Sequence, residues 1–335
     1  MAMKALISAF CVLAAFGGLS AQTAGWQPSP GHTQLPIWPG TAPDAQPAAG
    51  PEDTGVAKGS LVAGRPWVYV DKVSRPTITV YAPKAQNTGA AVVVFPGGGF
   101  QILAIDLEGT EVCDWLTSKG ITCVLLKYRV PDSGPHWVRQ CNCQVNPKSP
   151  TALEDAQRTV GLVRFHAAEW HIDPHKIGVL GFSAGGYLVA AISTHFQQRL
   201  YPAVDAADKE SCRPDFAVAV YPGHLCGWPG HPCSDHNFAL NPGIPVTRET
   251  PPTFLLQNED DHVDNVNDSL VYYIALKNAG VPVEIHSYAK GGHAFGLRRT
   301  NLPVTAWPEL VETWLGAIGM IPQDPALPRG HAPAP

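Results

Sequence analysis

Residues 176–186 read Lys176-Ile177-Gly178-Val179-Leu180-Gly181-Phe182-Ser183-Ala184-Gly185-Gly186. The run 176–180 has the length and apolarity of a buried strand, and 184–197 has a helical pattern, so Gly-x-Ser-x-Gly falls at a strand-to-helix turn. A serine hydroxyl is a poor nucleophile. It reacts when a sharp turn exposes it beside a group that takes its proton, and small residues at 181 and 185 let strand and helix close around such a turn. The five-residue pattern alone recurs by chance as a glycine-rich turn carrying a serine; the strand before it and the helix after it set this occurrence apart.

Working outward, β-rich runs alternate with helical patterns. Thr77–Tyr81, Ala91–Phe95, 121–127, 176–180, 216–221, 253–257 and Val283–Tyr288 read as strands. Ala91-Val92-Val93-Val94-Phe95 is apolar throughout, as a parallel strand covered on both faces requires. Helices are expected near 109–118, 151–170, 184–197, 267–278 and 304–316, the second opened by a capping box of Thr151 and Glu154. Alternation over some 260 residues predicts one three-layer α/β domain, with a mostly parallel central sheet and helices on both faces. There is no internal repeat.

A serine site also needs donors for an oxyanion. The strand Ala91–Phe95 runs into Pro96-Gly97-Gly98-Gly99-Phe100, and the amides of Gly98 and Gly99, with that of Ala184 after the serine, are the expected donors. A phosphate-cradling loop fails on detail, because no Gly-Lys-Ser/Thr follows and there is no G-x-G-x-x-G in a first βα turn. The expected base is His293, one of 13 histidines, chosen for its position after the last strand and its glycine setting, Gly291-Gly292-His293-Ala294-Phe295-Gly296. The acid belongs between serine and histidine in this order of residues. The strand 253–257 leads into Glu259-Asp260-Asp261-His262-Val263-Asp264, and Asp261 is the choice, with Asp260, Asp264 and Glu259 as alternatives and a solvated loop as the bland reading.

With 23 basic and 28 acidic residues and no basic cluster, nothing calls for nucleic acid, and no cofactor motif is present. One positive charge, an apolar run of 15 residues and the small residues Ser20 and Ala21 at its end predict a secretory signal peptide over 1–21, hence export and no membrane association after cleavage. Residues 22–52 form a Pro/Gly-rich extended leader, 53–320 the catalytic domain and 321–335 a Pro-rich tail. Of eight cysteines, Cys11 leaves with the signal. Cys226 with Cys233, or the Cys141/Cys143 loop with Cys212, are plausible disulfides, while Cys113 and Cys123 sit in apolar patterns and read as buried thiols. The segment from His224 through Cys226, His231, Cys233 and Asp235 to His236 holds enough ligand types for zinc. Its spacing fits no common finger, so a disulfide-pinned loop is expected and no metal. His136, Trp137 and Trp228 lie in the two longest insertions, where a pocket rim would form; stacking on a sugar ring and ordinary packing are equally good readings.

Together, Phe95-Pro96-Gly97-Gly98-Gly99-Phe100, Leu126-Lys127-Tyr128-Arg129, Gly181-Phe182-Ser183-Ala184-Gly185-Gly186 and the Gly291–Gly296 stretch resemble the acetyl-xylan and feruloyl esterase-like α/β hydrolases. The resemblance spans roughly 75–318. It implies the α/β-hydrolase fold without a large lid domain, a secreted bacterial enzyme, and short acyl esters of oligo- or polysaccharides as substrates. Pro96 stands where lipase-like relatives have the His of H-G-G-G, and Asp264-Asn265 where many relatives have Val-Pro. A serine peptidase of the prolyl-oligopeptidase type shares the residue order, but only roughly 50 residues precede the core, which favours an esterase. A binding module with a degenerate site is disfavoured because every reactive position is filled.

Overall fold

The computed structural model describes residues 25–45, 50–84, 86–130, 136–138, 143–145, 150–228, 230–234 and 237–323. The expected signal peptide and nearly all of the Pro-rich tail lie outside them, as do the side chains of His136 and Trp137. The strands are β1 (Gln34–Pro36), β2 (Asp53–Val62), β3 (Arg65–Asp71), β4 (Thr77–Tyr81), β5 (Ala91–Phe95), β6 (Ile102–Leu103), β7 (Thr122–Lys127), β8 (His136–Val138), β9 (Cys143–Val145), β10 (Ile177–Phe182), β11 (Phe216–Val220), β12 (Gly227–Trp228), β13 (His231–Pro232), β14 (Thr253–Asn258) and β15 (Val283–Tyr288). The helices are α1 (Glu111–Ser118), α2 (Pro150–Phe165), α3 (Ala184–Thr194), α4 (Val266–Asn278) and α5 (Trp307–Ala317).

Eight strands form the central sheet in the order β1-β4-β7-β5-β10-β11-β14-β15. β7 through β15 run parallel, and β4 and β1 are added antiparallel at one edge. β5, β7, β10, β11 and β14 are buried along their whole length, which is why their sequences show no polar alternation. Consecutive strand residues face opposite sides of a sheet. At the end of β10, a Cβ on Gly181 would meet Val189 of α3, while the next residue, Phe182, packs on Trp307 of α5 with ring centroids 5.9 Å apart. α3 and α5 therefore cover opposite faces, giving the α/β-hydrolase sandwich. Among the described residues no helix is long and apolar enough to cross a membrane.

Several details differ from the sequence expectations. Residues 34–38 do more than lie along the domain: β1 pairs with β4, and Ile37 and Trp38 are buried in the core. Trp38 donates its indole N–H to Asp155, whose carboxylate also binds Arg129. A three-residue strand containing proline is too short to show a period. The capping box does not form. α2 starts at Pro150, and the Glu154 side chain accepts from Arg129 instead of turning back to the helix start. Cys113 and Cys123 are joined in a disulfide rather than being separate thiols, because the turn after α1 folds the helix back on β7 and brings their Cα atoms to 5.1 Å. An apolar pattern reports burial, not the proximity of two sulfurs. Cys226 and Cys233 are bonded across the β12–β13 hairpin, and Cys212 is a free buried thiol, so it does not pair with the Cys141/Cys143 loop.

Candidate active site

In parallel α/β sheets, the loops leaving the carboxyl ends of the strands build the site. Here β5 delivers the glycine loop, β10 delivers Ser183, β14 delivers the acidic loop and β15 delivers the His293 loop. Ser183 has φ 52° and ψ −118°, a backbone conformation that L residues avoid and that costs on the order of 1–3 kcal/mol. Glycines make room for the turn: a Cβ on Gly181 would lie 2.2 Å from the Gly185 carbonyl oxygen, and one on Gly185 would lie 2.1 Å from that of Phe95. The glycine loop follows on the same side, with a Cβ on Gly97 falling 3.0 Å from that of Ser183.

The expected triad residues are brought together. His293 Nε2 lies 3.0 Å from Ser183 Oγ, and its Nδ1 lies 2.7 Å from Asp261 Oδ2. The backbone N–H groups of Val263 and Asp264 donate to the other Asp261 oxygen, which fixes the carboxylate. The neighbouring acids hold separate positions. Asp260 accepts from the amides of Gly291 and Gly292 and anchors the histidine loop. Glu259 is exposed. Asp264 lies with Oδ2 3.2 Å from Ser183 Oγ and 3.7 Å from His293 Nε2. The amides of Gly98, Gly99 and Ala184 donate to no protein acceptor among the described residues.

Three groups essential to this arrangement were missed in the sequence. Glu108, 2% exposed, accepts from the Gly97 amide at 2.7 Å and from the Tyr221 hydroxyl at 2.8 Å. Tyr221 in turn accepts from the Gly296 amide, and its ring packs on His293 with centroids 4.8 Å apart. Tyr128 donates to the Pro96 carbonyl at 2.6 Å. One carboxylate thus ties the glycine loop to the histidine loop through Tyr221. Burial pushes its pKa up, opposed by the Tyr221 hydrogen bond, the His293 charge and the Gly97 amide. Glu108→Gln puts an N–H₂ against one of two donors, so unfolding free energy should fall by about 1–3 kcal/mol. The same change should lower kcat by about ten- to a hundredfold through misplacement of both loops. Denaturant unfolding beside steady-state rates checks both.

A cavity of about 180 Å³ opens beside His293, lined by Leu61, Val62 and Ala63 of the β2–β3 hairpin together with Phe295 and Leu302. A larger one of about 570 Å³ lies at the sheet edge against Pro36, Trp38 and Arg75 and contains none of the reactive groups. Trp228 packs on His231, ring centroids 4.8 Å apart, within the disulfide-closed hairpin.

Residues 113–315, more than half of the sequence, match the model of the prolyl oligopeptidase family. The chain belongs to the prolyl oligopeptidase family. Within this family of α/β hydrolases, the relatives it resembles include esterases. It is 29% identical over 225 residues to an acetylxylan esterase of Xylanibacter ruminicola, covering 62% of this chain and 42% of that protein. It is 25% identical to endo-1,4-beta-xylanase B of Butyrivibrio fibrisolvens, covering 65% of this chain and 34% of that protein. The chain therefore spans less than half the length of these two curated relatives. Among solved structures, the acetyl ester-xyloside bifunctional hydrolase of Caldicellulosiruptor lactoaceticus is 31% identical with a TM-score of 0.66, covering 86% of this chain and 97% of that one.

In this prolyl oligopeptidase family member the pKa of His293 is raised. Burial lowers it, but the hydrogen bond that Nδ1 donates to Asp261 and the charges of Asp264, Asp261 and Glu108 outweigh that effect. A base works only when neutral, and a raised pKa keeps it protonated to higher pH. The acid limb of kcat/KM is therefore expected at a midpoint above the ordinary histidine value of about 6.5. A pH–rate profile on a simple ester checks this, and a midpoint below that value contradicts it.

Proposed function

We propose that this chain is a serine ester hydrolase that removes short acyl groups, acetyl above all, from xylan or related acetylated oligo- and polysaccharides. The observation that carries the reading is the hydrogen-bonded chain Asp261–His293–Ser183 beside the amides of Gly98, Gly99 and Ala184, which donate to no acceptor among the described residues. His293 takes the Ser183 proton as Oγ attacks the ester carbonyl, Asp261 holds the imidazole tautomer and steadies the imidazolium, and the three amides receive the oxyanion. The alcohol leaves with the proton from His293, and water, activated by the same base, releases the acid. Base and oxyanion donors each supply on the order of a hundredfold or more.

The acetyl and xylan assignments are supported by the activities of the similar proteins. Export is proposed with them, since the apolar N-terminal run resembles a signal peptide and two disulfides suit an oxidising compartment. Initial rates on p-nitrophenyl acetate, butyrate and octanoate, with acetate release from acetylated xylan, test the reading. Preference for acetate and deacetylation of xylan are expected. Activity confined to simple esters removes the xylan assignment. The family model favours one second reading, a peptidase, and cleavage of prolyl-peptide anilides without ester hydrolysis would establish it.

A further inference from the structure

Asp264 is not needed for the relay just described, yet its carboxylate stands at the reacting atoms. The residue is 7% exposed. Its backbone is fixed, because its N–H donates to Asp261 Oδ1 and its carbonyl accepts from Gln257. Its Oδ1 is packed so tightly against Gly223 that a Cβ there would come within 2.2 Å. The carboxylate therefore has one direction left, toward Ser183 Oγ at 3.2 Å and His293 Nε2 at 3.7 Å.

A carboxylate has roughly four acceptor sites. Among the described residues the only hydrogen-bond donor within reach of this one is the Ser183 hydroxyl, whose single proton His293 Nε2 also accepts, and burying an acceptor without its complement of donors is costly. Burial is the largest influence on Asp264 and pushes its pKa up; His293 and His224 favour its ionised form, Asp261 disfavours it, and the carboxyls of Glu108 and Asp268 are also close enough to repel it. A carboxylate made more basic in this way is also a stronger hydrogen-bond acceptor.

The leaving oxygen of an ester must come within hydrogen-bond reach of His293 Nε2 to collect its proton. A hydroxyl on the next carbon of a ring lies within a hydrogen-bond length of that oxygen, within reach of an acceptor that stands, as Asp264 does, beside both Ser183 Oγ and His293 Nε2. We propose that Asp264 is a specificity-determining residue that accepts a hydrogen bond from a hydroxyl vicinal to the ester, so that the site selects monoacylated vicinal diols such as partly acetylated sugar rings. The inference rests on the ester-hydrolase reading.

The test is a ratio of kcat/KM for the monoacetate of cyclohexane-1,2-diol over cyclohexyl acetate, which differ by the vicinal hydroxyl alone. The ratio is internal to each protein, so it does not depend on how much of a variant is folded. The wild type should favour the diol ester by about ten- to a hundredfold, the range for a hydrogen bond to a charged group. Asp264→Val should bring the ratio close to one, and Asp264→Asn, which keeps an uncharged acceptor, should fall between. A wild-type ratio near one, or a ratio unchanged in Asp264→Val, overturns the role of Asp264 and leaves the ester hydrolase standing. Failure of the wild type to hydrolyse either ester overturns both.

Discussion

Ser183→Ala is expected to lower kcat on p-nitrophenyl acetate by on the order of ten-thousandfold to a millionfold, the range seen when the nucleophile of a triad is removed. The loss is chemical and not structural. Alanine adopts the same strained backbone at no greater cost than serine, and the Ser183 side chain makes no cap to α3, so no helix-capping bond is lost. The unfolding midpoint should therefore fall only modestly, through loss of the Ser183 hydrogen bond to the buried Asp264, while turnover disappears. Residual rate above the uncatalysed reaction should remain, because Gly98, Gly99 and Ala184 still present their amides to the substrate carbonyl. Steady-state rates and thermal unfolding on the same preparation check both halves.

The second large effect belongs to Asp261→Asn, expected to cost about ten-thousandfold in kcat. The direction follows from the geometry. Asp261 Oδ1 accepts from the amides of Val263 and Asp264, so an asparagine keeps its carbonyl oxygen there and turns its N–H₂ toward His293 Nδ1. That nitrogen must then accept, which places the ring proton on Nε2, where it faces Ser183 Oγ and blocks proton removal. The double variant Ser183→Ala/Asp261→Asn should lose no more than Ser183→Ala alone, since the residues act as one unit. Asp260 offers a contrast, because its carboxylate serves the Gly291 and Gly292 amides and has no contact with the imidazole.

These expectations show which parts of the molecule were legible in the sequence. The buried parallel strands declared themselves by continuous apolar runs, and Ser183, Gly98, Gly99 and His293 by lying just beyond the ends of those runs among glycines that sharp turns require. The acidic loop was different. Glu259, Asp260, Asp261 and Asp264 are chemically alike and a few positions apart, and only the three-dimensional path of the loop assigns one to the histidine, one to the loop amides and one to the serine. Glu108, Tyr221 and Tyr128 left no local signal, because each acts through a contact more than ten positions away in the chain, to Gly97, to Gly296 and to Pro96. The strand Gln34–Pro36 and the Cys113–Cys123 bond were hidden for the same reason: partner and pattern are not neighbours in sequence.

The most direct test of the central claim is to trap the covalent intermediate. Wild-type protein and Ser183→Ala are each treated with a fluorophosphonate, a reagent that reacts with activated serine, and the intact and digested masses are read. The account predicts one adduct per wild-type chain, carried on the peptide containing Ser183, loss of ester hydrolysis in proportion to labelling, and no adduct on the variant. An unlabelled Ser183 in a preparation that hydrolyses esters, or full inhibition with the label elsewhere, would contradict it.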